Sequence, residues 1–118
     1  MGEVEYAEMV DKLAKTGEEI IKTMTGDHAA LMHHTFGIAG EAGELLDAIK
    51  KHIIYNKPLD LVNVIEELGD IEFYMEGLRQ ELGISRQETI NYNAAKLAKR
   101  YPNYEYSNTR AQERADKA

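Results

Sequence analysis

Cysteine and tryptophan are absent from the sequence, and proline occurs only twice, at Pro58 and Pro102. Without cysteine, disulfides and thiolate metal ligands are excluded. This composition is typical of a reducing compartment, so we predict a cytoplasmic location. No apolar run approaches the ~20 residues that a membrane-spanning helix needs. The opening residues "MGEVEYAEMV" also lack the basic and apolar regions of a secretory signal, and we therefore expect no membrane partner.

Basic residues are scarce relative to acidic ones, and the formal net charge is −7. A protein that binds a nucleic-acid polymer by neutralising its phosphates is usually basic, so we predict no such partner. If the protein binds a smaller anionic ligand, divalent cations would offset the repulsion between the acidic protein and that ligand. On composition alone, the acidic balance is more simply explained as a contribution to solubility.

The chain of 118 residues is predicted to form one domain, residues 1–118, with a polar tail from about residue 103. Apolar residues recur at helical spacing in residues 3–25, 29–55 and 61–82, and a fourth helix is predicted to end near residue 100. Nothing in the pattern indicates a strand.

Capping residues predict where these helices begin and end. Gly26 is interpreted as the C-terminal stop of the first helix, and Asp27 as an N-cap of the second. Asp60 is a predicted N-cap for the third helix. Ser85, with Glu88 three residues later, forms a predicted capping box at the start of the fourth helix.

Four helices with short connections predict an all-α fold, an antiparallel four-helix bundle. The first and last helices carry few aliphatic residues for a bundle of this size, which indicates burial against a second subunit. We therefore expect dimerisation to complete the bundle.

Two pairs of carboxylates are spaced three residues apart, Glu41 with Glu44 in the second helix and Glu67 with Asp70 in the third. Such positions lie about 60° from each other on one helix face, and both pairs flank the apolar stripes of their helices. Antiparallel helices that pack by these stripes would bring the four carboxylates together. Their repulsion raises their pKa values, and a hard cation such as Mg²⁺ would offset it. Solvated helix faces also carry such pairs, so that alternative stays open.

Four glycines, Gly37, Gly40, Gly43 and Gly69, lie inside these helices, where each costs about 1 kcal/mol relative to alanine. The missing side chains would let a ligand approach the carboxylates, or would let a neighbouring helix pack closely. A di-iron site of the ferritin type needs Glu-x-x-His. No histidine follows a glutamate at that spacing, so di-iron chemistry is disfavoured.

The fourth helix carries Asn93, Lys96 and Arg100 on one face, and Lys51 lies one heptad after Glu44. An amide, two lysines and an arginine near metal-bound carboxylates would suit a polyphosphate. Solvated surface charge is the alternative for each of these residues.

Three stretches, "GIAGEAGELLDAIKKH", "VIEELGDIEFYM" and "NAAKLAKRYPNYEYS", together resemble the MazG-like branch of the all-α nucleoside triphosphate pyrophosphohydrolases. The signature of that family is Glu-x-x-Glu, a spacer and Glu-x-x-Asp, and the resemblance covers roughly residues 30–114. It implies a hydrolase that depends on Mg²⁺, with Mn²⁺ as a substitute, and that cleaves a nucleoside triphosphate to the monophosphate and pyrophosphate. It also implies a homodimer or homotetramer with sites near subunit boundaries.

The resemblance also implies roles for individual residues. The metal-binding roles fall on four carboxylates: Glu41, Glu44, Glu67 and Asp70. One of the first two is expected to be the general base. Substrate contacts are implied for Asn93, Lys96, Arg100 and Lys51, and for His33 near the nucleobase. A histidine packed at an interface is the alternative for His33. The predicted role is nucleotide-pool control or house-cleaning, and the alternative is a non-catalytic helical interaction or regulatory protein that keeps the fold.

Overall fold

A computed structural model describes residues 1–114 and 116, and these residues form helices and connections without a strand. The helices are α1 (Glu3–Leu13), α2 (Gly17–Thr23), α3 (Gly26–Ile53), α4 (Leu61–Leu82), α5 (Arg86–Arg100) and α6 (Asn108–Glu113), with a 3₁₀ turn at Pro102–Tyr104. The all-α prediction is therefore confirmed. Across the same described residues, no helix combines the length and the hydropathy that a membrane crossing requires.

The predicted single helix over residues 3–25 is wrong, because the chain breaks between α1 and α2. Ala14 has an extended backbone, with ψ of 129°. The Thr16 side chain accepts a hydrogen bond from the Glu19 amide at 3.2 Å and so starts a new helix. A threonine followed three residues later by glutamate is an N-terminal signature, and the sequence "TGEE" contains it.

The roles assigned to Gly26 and Asp27 are also wrong. Thr25 is the N-cap of α3, since its hydroxyl accepts from the His28 amide at 3.2 Å and the His28 ring bonds the Thr25 amide. Gly26 is consequently the first residue of α3 and not a stop. The capping box uses histidine in place of the usual Glu or Gln, which is why the sequence pattern did not reveal it.

The other predicted caps are confirmed. Asp60 accepts from the Asn63 amide at 3.1 Å and starts α4. Ser85 and Glu88 exchange the two hydrogen bonds of a capping box at the start of α5. These caps fix the first residues of α4 and α5.

The long helices α3 and α4 provide the main packing between elements in the described chain. They are antiparallel, because His34 meets Gly77 while Gly37, one turn further along α3, meets Tyr74, one turn back along α4. A Cβ on Gly37 would overlap the Tyr74 ring, and a Cβ on Gly77 would overlap the His34 ring. Both glycines therefore allow the close approach of an aromatic ring to the opposite backbone.

The remaining faces of α3 and α4 leave many apolar side chains exposed. Ala48 is the one buried apolar residue in the described part of the chain. Eight of the exposed side chains fall at two positions of one heptad register in their helix, and we call each set the seam of that helix. On α3 they are Met32, Phe36, Leu46 and Ile53, and on α4 they are Leu61, Ile65, Leu68 and Leu82. A four-helix bundle stays a prediction, and these seams are the surfaces that could form it.

Two charged side chains, Glu72 and Arg79, occupy positions of the α4 seam. Arg79 is 8% exposed, and its guanidinium donates to Glu76 at 3.2 Å and to Glu72 at 3.4 Å. Arg86 of α5 also lies 3.9 Å from Glu72. The seam is thus apolar along most of its length, with one charge network that α4 largely satisfies by itself.

Candidate metal and phosphate site

The antiparallel packing of α3 on α4 brings carboxylates of both helices together near the middle of the pair. Glu41, Glu67 and Asp70 each offer an oxygen atom, and these three atoms lie within 4.8 Å of one another. Glu41 and Glu67 are half-buried, whereas Asp70 is exposed. Glu44 lies outside this trio and is exposed, one turn after Glu41 on α3.

The crowding of negative charge has its largest effect on Glu67, whose pKa is raised to about 7. The first cause is a hydrogen bond with the Glu41 side chain, which requires that one of the two carboxyl groups carry a proton. Burial and the charges of Glu41, Asp70 and Glu44 raise the pKa further, in that order. Oε2 of Glu67 is moreover buried without a hydrogen-bond partner. The site therefore favours a proton or another cation at this position.

The donor set fits a hard divalent cation. All three groups offer carboxylate oxygens, which Mg²⁺ and Mn²⁺ prefer, and the chain has no thiolate. Ligand atoms on an octahedral Mg²⁺ are separated by about 3–4 Å, given bonds of about 2.0–2.1 Å. Oxygens already within 4.8 Å of one another need only small side-chain rotations to reach that spacing. The unpartnered Oε2 of Glu67 is an acceptor that such an ion would satisfy.

The four glycines near the carboxylates differ in their surroundings. The Tyr74 ring covers Gly37, so this glycine serves close packing. By contrast, a Cβ on Gly40, Gly43 or Gly69 would meet nothing within 4 Å, so close packing does not require a glycine at these positions. Tyr74 lies one turn after Asp70 on α4, and the helical spacing of the sequence already places it on the side that carries Glu67 and Asp70.

His33 lies on the same side as Tyr74. It is exposed, and its ring contacts Tyr74 edge-on, with the centroids 5.8 Å apart. The neighbouring His34 ring lies 5.5 Å from that of His33 and packs against Gly77. His33 is therefore the more exposed of the two histidines.

The basic residues lie apart from the carboxylate trio in the single chain. Asn93 and Lys96 line a cavity of about 380 Å³ together with Tyr92, Ala95, Lys99 and Asp116, and none of the four predicted metal ligands lines it. Arg100 binds Asp116. Lys51 is exposed and pairs with Asp47 at 3.0 Å, and the nearby charge of Glu44 also helps to raise the pKa of Lys51, after the larger effect of Asp47.

The packing of α5 explains this separation. The helix contacts mainly the 3₁₀ turn and α6, which follow it in the chain, while at its first turn Arg86 lies 3.9 Å from Glu72 of α4. The carboxylate trio and the α5 group thus form two half-sites, one acidic and one basic. Asp116 is the residue at the basic half-site that sequence reasoning missed, because its position in the polar tail carries no periodic signal.

Fold and site together define an all-helical protein with an acidic centre whose carboxylate oxygens suit a hard cation. The family model described as the MazG nucleotide pyrophosphohydrolase domain matches residues 27–104. The match spans nearly all of α3, all of α4 and α5, and every residue predicted for the site. The chain belongs to this family, and at the family level nucleoside triphosphate pyrophosphohydrolase activity is implied. No curated protein and no solved structure gives a match to the chain.

Proposed function

We propose that the protein hydrolyses a ribo- or deoxyribonucleoside triphosphate to the monophosphate and pyrophosphate in a Mg²⁺-dependent reaction, as part of nucleotide-pool control or house-cleaning. The observation that carries this proposal is the meeting of Glu41, Glu67 and Asp70 oxygens within 4.8 Å. Three carboxylates at this spacing repel one another, and a divalent ion relieves the repulsion. The family match supplies the class of substrate.

The acidic half-site holds the ion in this mechanism. Glu41, Glu67 and Asp70 would bind Mg²⁺, which when bound neutralises triphosphate charge and polarises the attacked phosphorus. Glu44 lies one turn from Glu41 and outside the trio, so it is the carboxylate best able to accept a proton from the attacking water. The water oxygen bonds to phosphorus, the phosphoanhydride bond between the α- and β-phosphates breaks, and pyrophosphate leaves.

The basic half-site positions the polyphosphate. Phosphoryl transfer of this kind depends mainly on positioning and charge stabilisation. The Arg100 guanidinium and the Lys96 ammonium are suited to phosphate oxygens, and the Asn93 amide adds a neutral donor. Lys51 would contribute from α3, and His33 beside Tyr74 would contact the nucleobase end of the substrate.

A second subunit would bring the two half-sites together. The apolar seams of α3 and α4 are exposed, with Leu46 70% and Ile65 59% accessible, although residues of this kind are normally buried. Two α3/α4 pairs that pack by these seams make a four-helix bundle. In such a homodimer, or in a tetramer built from it, α5 of one subunit can face the carboxylates of the other.

The deciding experiment measures pyrophosphate release from a panel of ribo- and deoxyribonucleoside triphosphates, with Mg²⁺ and with chelator. We expect release only with the metal, and loss of release in Glu67→Gln and Glu44→Gln without loss of the far-UV helical signal. Glu66→Gln is the matched control, since Glu66 is exposed and adjacent to Glu67 on α4. Absence of release from every nucleotide would instead favour the non-catalytic interaction protein.

A further inference from the structure

The last described residue of the chain, Asp116, forms a two-pronged ion pair with Arg100. Nε of Arg100 donates to Oδ1 of Asp116 at 3.0 Å, and Nη2 donates to Oδ2 at 3.4 Å. The Arg100 side chain is 16% exposed and the Asp116 side chain 4% exposed. By comparison, the Lys51–Asp47 pair has side chains 56% and 51% exposed. The Arg100–Asp116 pair is therefore shielded from water on both sides.

The pair lies at the cavity that the basic face of α5 forms. Asp116 lines this cavity of about 380 Å³ with Asn93, Lys96 and Lys99. The cavity is thus lined by one amide side chain and two lysines, together with a carboxylate that Arg100 holds. The N–H donors of these four side chains outnumber the roughly four lone-pair sites of one carboxylate.

Arg100 binds Asp116 through two N–H donors, which is also how an arginine side chain commonly binds a phosphate group. A guanidinium binds carboxylate and phosphate through the same planar fork of N–H donors. Asp116 is ionised at neutral pH, because the hydrogen bond from Arg100 lowers its pKa and the charge of Lys96 lowers it further. The charged carboxylate therefore occupies the donors that an incoming phosphate group would need.

We propose that Asp116 is an internal competitor for the phosphate site at Arg100 and Lys96, so that the C-terminal tail must release Arg100 before a polyphosphate binds. The identity of the polyphosphate as a nucleotide rests on the proposed function, but the competition itself concerns any polyphosphate anion. A tethered group of this kind acts at a millimolar effective concentration. The apparent Kd for the ligand is then the intrinsic Kd divided by the fraction of chains in which the site is free.

The test compares the wild-type protein with Asp116→Asn, which keeps the shape of the side chain and removes its charge. Glu113→Gln is the matched control, because Glu113 is exposed and belongs to the same tail. Inorganic pyrophosphate is the probe, and its Kd is measured by calorimetry at fixed ionic strength. We expect Asp116→Asn to bind pyrophosphate about 3- to 10-fold more tightly than the wild type, and Glu113→Gln to bind like the wild type.

Equal or weaker binding in Asp116→Asn would overturn the proposal, since Asp116 would then orient Arg100 and not compete. Failure of pyrophosphate to bind any variant would overturn it as well. A second measurement needs no substitution: hydrogen exchange of the α6 amides in the wild-type chain with and without saturating pyrophosphate. Faster exchange with pyrophosphate supports release of the tail, and unchanged exchange contradicts it.

Turnover separates this inference from the proposed function. If triphosphates are hydrolysed, Asp116→Asn should lower KM by the same factor as the pyrophosphate Kd. Tighter pyrophosphate binding without any hydrolysis would refute the proposed function and support the competition. Hydrolysis of triphosphates, with the same pyrophosphate Kd in Asp116→Asn and in the wild type, would support the proposed function and refute the competition.

Discussion

The raised pKa of Glu67 predicts that protons and divalent cations compete for the acidic centre. A metal ion requires the ionised carboxylate, whereas the metal-free protein holds a proton on Glu67 up to a pKa of about 7. Raising the pH through this range removes the competing proton and should strengthen metal binding. Above the pKa the proton is gone, and the affinity should become constant.

The size of the effect follows from that pKa. With one competing proton, the apparent Kd exceeds its plateau value by a factor of 1 plus ten to the power of pKa minus pH. For the pKa of about 7, the Kd should be about 11-fold weaker at pH 6, about 2-fold weaker at pH 7 and nearly at its plateau at pH 8. Binding at pH 6 should release about 0.9 proton per ion, falling to about 0.1 at pH 8.

Isothermal titration calorimetry of Mn²⁺ in two buffers of different ionisation enthalpy measures both the Kd and the protons released. Glu66→Gln should reproduce the wild-type curve, because Glu66 is exposed and lies outside the carboxylate trio. Glu67→Gln should bind more weakly and lose the pH dependence between pH 6 and 8. An equal wild-type Kd at pH 6 and pH 8, without proton release, would refute the reasoning about this centre.

Three further predictions concern stability and assembly. Because folding raises the pKa of Glu67 from 4.5 to about 7, the metal-free Tm should fall as pH rises between these values, and added Mg²⁺ should reverse the fall at pH 7.5. Gly37→Ala should lower the free energy of unfolding in urea by about 1–3 kcal/mol, since its Cβ would overlap the Tyr74 ring. Leu46→Glu should lower the mass seen by light scattering, because this exposed leucine lies on the α3 seam.

Each of these predictions has its own control. For the Tm, Glu67→Gln should flatten the dependence on pH, and a wild-type Tm that rises over this range would contradict the sign. Gly40→Ala should stabilise the helix by up to about 1 kcal/mol, since open space surrounds that position. For assembly, Leu13→Glu changes an equally exposed leucine on α1, away from the seams, and should leave the mass unchanged. An unchanged mass in Leu46→Glu would remove the seam from the assembly.

Local chemistry explains which helices the sequence could predict. Asp60 and Ser85 cap the N-termini of their helices with side chains that act within three residues, so the first residues of α4 and α5 were predicted correctly. The same kind of signal existed at Thr16, but the apolar spacing of residues 3–25 continued through it and concealed the break. At Thr25 the capping partner is a histidine, a residue that the usual pattern does not include.

In the candidate site, too, features within one helix were predictable from the sequence, whereas contacts between elements were not. The spacing of Glu41 and Glu44, and of Glu67 and Asp70, is a property of single helices and was visible in the sequence. Which carboxylates meet depends on the depth of packing between α3 and α4, which the Tyr74 ring over Gly37 helps to set. The contact of Arg100 with Asp116 joins residues that belong to no common helix or repeat, so nothing local predicts it.

The Arg79 network has a consequence for the choice of partner. Any helix that covers the α4 seam must remove water from the carboxylates of Glu72 and Glu76, whose side chains are 51% and 49% exposed and already accept hydrogen bonds from Arg79. An unrelated amphipathic helix with a leucine opposite this point would desolvate the ions without new hydrogen bonds, which is unfavourable. Charges so arranged would discriminate against foreign helices more than they would strengthen self-association.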